Sequence, residues 1–204
     1  REKDPESRSA AFNARLLLAK NARETLQIVA EEWEDPDCSI RADAIGHLVS
    51  CKEVPLDEAL AFLFCVLEEE TRPAALDAAR YAFCHYMSAK PEGFLAAFRA
   101  RDASFQVRFL RWFRPSTARP LGSKSSLPDE TKFFIAVLHD PDRDIRSLAA
   151  SALLKTSFRI DLSASEIARM LKSREGNLRR LAVEHLEWPA GRPLGAGGPV
   201  EAPS

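Results

Sequence analysis

The feature that most constrains this chain is a unit that recurs along it. The segments DPDCSIRADAIGHL (35–48), DASFQVRFLRWF (102–113) and DPDRDIRSLAASAL (140–153) each place an Asp six residues ahead of an Arg, with an apolar residue directly before that Arg. Two weaker copies are ETRPAALDAARYAF (70–83) and SREGNLRRLAVEHL (173–186). Aligned on Ile40, Ala74, Val107, Ile145 and Leu178, the copies begin 34, 33, 38 and 33 residues apart. A period in this range belongs to chains built from small supersecondary units that must stack, because one unit cannot bury its own apolar face.

Second amphipathic stretches lie between the copies: ARETLQIVAEEW, PLDEALAFLFCVLEE, PEGFLAAFRA, DETKFFIAVLH and SASEIARMLK. Each repeat therefore reads as a helix pair. Spacings such as Ile40, Ala44, Ile45 and Leu48 give one buried stripe per helix. With eight glycines, 8% aromatic residues and a preponderance of Ala, Leu, Arg and Glu, the chain has helix-forming composition and not that of an all-β protein.

Asp-Pro-Asp followed by Ile-Arg and an Ala-rich helix resembles the HEAT-repeat family, over about residues 22–188. In that family an Asp precedes the inner helix and an Arg sits within its first turns. The matching positions are Asp35 with Arg41, Asp102 with Arg108 and Asp140 with Arg146, whereas Ala75 replaces the Arg in the second copy and Ser173 the Asp in the fifth. The resemblance implies an all-α, armadillo-like, right-handed α-solenoid of about five helix pairs. Residues 1–21 form its N-terminal cap, with a helix over 8–20; residues 22–188 form the repeat domain, with a long loop at 114–128; residues 189–204 form a Pro/Gly-rich tail that cannot pack a core. A carboxylate at a helix N-terminus accepts orphan backbone N–H groups, and an Arg can link carboxylates along a stack, so these pairs read as architectural.

A formal net charge of −1 argues against a surface built throughout to neutralise phosphate. The halves differ: residues 1–97 hold 11 Lys and Arg against 18 Asp and Glu, a balance of −7, and residues 98–204 hold 18 against 12, a balance of +6. Cys38, Cys51, Cys65 and Cys84 include no CxxC pair and read as free, mostly buried thiols of a reducing cytoplasm. No apolar run approaches the roughly 18 residues that span a bilayer.

There is no Gly-rich phosphate loop, HExxH, GxSxG or acidic calcium loop. Glu184 and His185 form an isolated pair, unlike the repeated His-Glu pairs that would bind di-iron in a HEAT-like hydroxylase. No catalytic residue, cofactor or metal is expected.

Residues 98–124 hold seven Lys and Arg against one acid. In the alignment above, Arg111 falls where other copies have Ala, and Pro115 falls in mid-helix. Two readings stay open. Phe109, Trp112 and Phe113 are a bulky core beside solvated arginines, or Arg111, Trp112, Arg114 and Arg119 recognise an acidic partner. A second candidate is the column His47, Tyr81, Arg114, Ala152 and His185, one position on each inner helix, expected to point away from the buried stripe and line a concave face. The function expected is a non-catalytic protein–protein scaffold or adaptor for an acidic or extended partner segment. The alternative is a nucleic-acid-binding protein, similar to the HEAT-like DNA glycosylases, using the basic third repeat.

Overall fold

A computed structural model of the chain describes residues 4–51, 53–114, 129–156, 160 and 162–187. Among these it contains eleven helices and no strand: α1 (Pro5–Leu18), α2 (Ala22–Trp33), α3 (Cys38–Ser50), α4 (Leu56–Glu69), α5 (Pro73–Ala89), α6 (Pro91–Arg99), α7 (Ala103–Trp112), α8 (Asp129–Val137), α9 (Arg143–Leu153), α10 (Ala164–Leu171) and α11 (Gly176–Glu187). None is long and apolar enough to cross a membrane. The tail 189–204 and most of the loop 114–128 lie outside the described residues.

Local chemistry sets the helix starts. Asp4, Asn21, Asp37, Asp102, Asp142 and Ser163 are N-caps whose side-chain oxygens accept backbone N–H groups of the first turn. Pro5 and Pro73 stand at the start of α1 and α5, where a missing N–H costs nothing.

The chain divides into two compact units, Arg1–Phe98 and Arg99–Ser204. In the first, α3 packs on α2 and α5, α5 on α4, and α1 on α2 and α3. Its core holds Phe12, Ile45, Leu48, Leu63, Phe64, Phe83 and Phe94. A Cβ on Gly93 would meet Leu56 Cδ2 at 2.5 Å, so a larger residue there would push the end of the Leu56 side chain aside. In the second unit α9 packs on α7, α8 and α11, and α11 also on α10. Phe105, Phe109, Phe113 and Phe134 form a continuous run of stacked rings there. Each such ring contributes about 2–3 kcal/mol by leaving water.

Burial corrects the register of two copies. Ile40, Ala44, Ile45 and Leu48 are buried, as are Ile145, Ala149, Ala150 and Leu153. The same spacing in the third copy falls on Phe105, Phe109, Leu110 and Phe113, all buried, so this copy starts at Phe105 and not at Val107. In the second copy Ala75 is buried and Ala74 exposed, so it starts one residue later than expected. The copies then begin 35, 30, 40 and 33 residues apart.

The side chain five residues before each of four start points makes the same bond. Asp35, Glu70, Asp140 and Ser173 accept the N–H two residues on, at 2.8, 2.8, 2.9 and 3.1 Å. Glu70 therefore occupies the Asp position, and Asp102 does not; it is the N-cap, equivalent to Asp37 and Asp142.

The signature Arg does not pair with the carboxylate of its own Asp. Arg41 and Arg146 donate to the backbone carbonyls of Asp35 and Asp140, at 2.6 and 2.8 Å, and Arg179 does the same to Ser173 at 2.8 Å. In the third copy Gln106 fills this role, reaching the carbonyls of Arg99 and Arg101 at 3.2 and 2.7 Å. These turns leave carbonyls behind the preceding helix that need donors. The charge of the Arg goes instead to the following copy: Arg41 Nε lies 2.8 Å from Glu70 Oε2, and Arg146 pairs with Glu175. Arg8 of α1 completes the series by forking onto both oxygens of Asp35 at 2.9 and 3.1 Å.

The thiols also differ from expectation. Cys65 is exposed and the other three are half-buried, all unoxidised.

Burial alone would raise the Glu70 carboxyl, but the N–H groups of Arg72 and Thr71 and the Arg41 guanidinium together hold it below its ordinary range. A depressed folded-state value stabilises above the unfolded value and is lost as pH falls through the folded one. Stability measured by urea denaturation should therefore drop as pH falls below about 5, and Glu70→Gln should flatten that slope while lowering stability at neutral pH. Arg146→Ala should cost about 2–4 kcal/mol, because it strands a buried carboxylate, whereas Arg179→Ala, which strands no carboxylate among the described residues, should cost about 1 kcal/mol or less. Equal losses for the two variants would contradict the assignment.

Candidate functional site

The basic candidate is built on α7. This helix has ten residues and ends at Trp112, with Phe113 as C-cap, and Pro115 lies outside the described residues. A residue preceding proline avoids the α region, which favours an end at this point. With the copy starting at Phe105, Arg111 falls six residues on, level with Gly46, Tyr81, Ser151 and Glu184, and not at an Ala position. Two of the three departures that singled this helix out are thus consequences of register.

The geometry of the candidate residues is as follows. Arg111 is exposed in the last turn, where a cation suits the helix dipole. Arg114, just past the helix, is also exposed. Trp112 is half-buried, edge-on to Phe109 at 6.1 Å and tilted against Phe113 at 5.8 Å. Phe109 and Phe113 are fully buried, so both belong to the core. Arg101 and Arg108 lie over the ring of Phe105, at 4.8 and 5.7 Å. The structure thus brings Arg111, Trp112 and Arg114 together, while Arg119 lies outside the described residues.

The expected exposed column does not form as proposed. Ala152 and His185 are buried. His47 is half-buried with its ring edge-on to Phe12 at 5.3 Å. Tyr81 is 66% exposed, but the corrected register makes Ala82, which is buried, the equivalent of His47. Trp112, not Arg114, then stands at this position in the third copy.

Two clefts occur outside these residues. In the first unit a cavity of about 510 Å³ is lined by Arg8, Arg15, Glu31, Glu32 and Asp35. Glu34 lines it too, and both its arginines are already engaged: Arg8 pairs with Asp35, and Arg15 with Glu31 and Glu32, its hydrogen bond holding Glu31 below the ordinary glutamate range.

In the second unit a cavity of about 330 Å³ is lined by residues including His139, Asp140, Arg146, Arg169 and Glu175. Arg169 Nη1 lies 3.0 Å from His139 Nδ1, and His139 Nε2 lies 3.2 Å from Glu166 Oε1. Because the guanidinium can only donate, Nδ1 accepts and the imidazole proton sits on Nε2, facing Glu166. Ser163 donates to the other oxygen of Glu166 at 2.6 Å, within a capping box. The Ser163 hydroxyl and backbone N–H hold the Glu166 carboxyl low, with His139 adding to them.

A nucleophilic triad needs the imidazole between hydroxyl and acid. Here the carboxylate of Glu166 lies between hydroxyl and imidazole, so the order differs from that of the triad. The signal for this cluster was present in the sequence as Ser163-x-x-Glu166. Among the described residues no group of three or more His, Cys, Asp or Glu is placed to hold a metal ion.

No family model matches this chain, and no significantly similar curated protein or solved structure was found.

The α7 geometry separates support from display. Arg111→Ala should change unfolding free energy by no more than about 0.5 kcal/mol. Trp112→Ala should cost about 2 kcal/mol or more, since its ring packs on Phe109 and Phe113. Chemical denaturation of the two variants checks this; the opposite ranking would place Arg111 in the architecture.

Proposed function

We propose that this chain is a non-catalytic protein-binding scaffold, an α-solenoid of about five HEAT-like helix pairs with an N-terminal cap, working in the cytoplasm. The observation that supports this best is the use made of the recurring residues. Arg41, Gln106, Arg146 and Arg179 all serve backbone carbonyls, and Arg41 and Arg146 also pair with the next copy. What recurs is spent on joining helices. Recognition is left to exposed residues that do not recur, among which Arg111 and Arg114 beside Trp112 suit an acidic protein segment.

The nucleic-acid alternative rests on the same cations and the +6 balance of residues 98–204. Against it stands the net charge of −1 for the whole chain. Salt dependence separates the readings, because each neutralised phosphate steepens the loss of affinity with salt.

The expected result is weak retention on immobilised duplex DNA at physiological salt. A protein partner identified by affinity capture, then purified, should bind over tenfold more weakly to the R111E/R114E double variant, about 1.4 kcal/mol or more. Added salt should narrow that difference. Tight, steeply salt-dependent DNA binding would favour the alternative, and unchanged partner affinity in a folded double variant would remove the α7 patch from the reading.

A further inference from the structure

On α3 and α9, the side that faces the following copy carries three residues, one, five and eight positions after the start point. These fall within one narrow sector of a helix. On α3 they are Arg41, Ile45 and Leu48; on α9 they are Arg146, Ala150 and Leu153. In both cases the two apolar side chains are no more than 1% exposed, and the Arg meets a carboxylate of the next copy, Glu70 or Glu175. The helices α5 and α11 supply the cover.

α11 carries the same three positions as Arg179, Val183 and Leu186. Val183 is 40% and Leu186 60% exposed. Leu171, at the end of α10, is 40% exposed, although Leu138, which stands at the same distance before its copy, is 3% exposed and lines a cavity with Met170 and Leu178. Arg179 is already held by its bond to the Ser173 carbonyl, as Arg41 and Arg146 are held, yet it has no carboxylate partner among the described residues. An apolar face and an oriented, unpaired guanidinium therefore occur together, in the arrangement that elsewhere in the chain receives a helix.

We propose that the face of α11 formed by Arg179, Val183 and Leu186 docks an amphipathic helix of a protein partner that carries a carboxylate just ahead of its first turn. The chemistry of that helix follows from what α11 itself offers α9. Its acid Glu175 stands three residues before Leu178, and its buried residues Leu181, Ala182 and His185 follow three, four and seven residues after Leu178. The partner presents the same pattern, so its carboxylate reaches Arg179 while its apolar side chains cover Val183, Leu186 and Leu171. This rests on the scaffold reading but not on the α7 patch.

The test titrates a fluorescently labelled synthetic peptide of residues 163–187, which carries this pattern, with the full chain. Saturable binding in the micromolar range is expected. Leu186→Glu and Arg179→Glu in the chain should each weaken it at least tenfold while leaving the far-ultraviolet spectrum unchanged. A peptide with Glu175→Arg should recover much of the loss against R179E, because the charges are exchanged. R111E/R114E should bind the peptide as tightly as the parent, so loss of the α7 patch leaves this test intact.

Three results would overturn the proposal. The first is no saturable binding up to about 1 mM, corresponding to an affinity too weak for specific docking, or binding indifferent to both α11 variants. The second is a dimer in sedimentation that Leu186→Glu abolishes, which would make a second copy the occupant. The third is at least tenfold tighter peptide binding after truncation beyond Glu187, which would make residues 188–204 the occupant. A captured partner still bound through α7 in any of these cases would leave the scaffold reading standing.

Discussion

The structure depends on what happens to the backbone at the turn between the two helices of a pair. Each such turn leaves carbonyls that the preceding helix cannot satisfy. A long cationic side chain solves this, since a guanidinium has enough donors to bond a carbonyl and still present charge elsewhere. Arg41 and Arg146 do both, fixing the turn six residues behind them and pairing with the carboxylate of the next copy. The acid in turn accepts an N–H of its own turn, as Glu70 does from Arg72. Turn geometry and helix contact are thereby set by one group of bonds.

The helical class, the pairing of amphipathic stretches and most helix positions were legible in the sequence, because a stripe such as Ile40, Ala44, Ile45 and Leu48 has one meaning under a 3.6-residue period. Register was less legible where the signature residues are altered. The third copy has Ala100 and Gln106 at the Asp and Arg positions, and a second Asp–Arg pair, Asp102 and Arg108, lies two residues later. Aligning on that pair displaced Arg111 and Pro115 into positions that looked exceptional. The run Phe105, Phe109, Leu110, Phe113 carried the correct register, but only by weighing burial above charge. The partner of each Arg was not legible at all, since Glu70 and Glu175 lie 29 residues away and only folding brings them close.

The same physics separates architectural from available surface. Ala152 and His185 were candidates for an open face and are buried, because α9 and α11 are each packed against more than one helix. Arg111 and Arg114 are exposed beside a half-buried Trp112, a combination that can contribute contact area with little rearrangement. At α11 the recurring pattern is present with its covering helix absent among the described residues, and there the residues that elsewhere join copies become surface.

The central claim is that paired charge couples the first copy to the second and the fourth to the fifth, and is not incidental surface decoration. A double-mutant cycle on Arg41 and Glu70, using Arg41→Met, Glu70→Gln and the combination, measures that coupling directly by equilibrium urea unfolding. The account predicts a coupling energy of about 1–3 kcal/mol, with the double variant less destabilised than the two single losses added together. Additivity to within about 0.3 kcal/mol would contradict it, because Arg41 would then be fastening only its own turn.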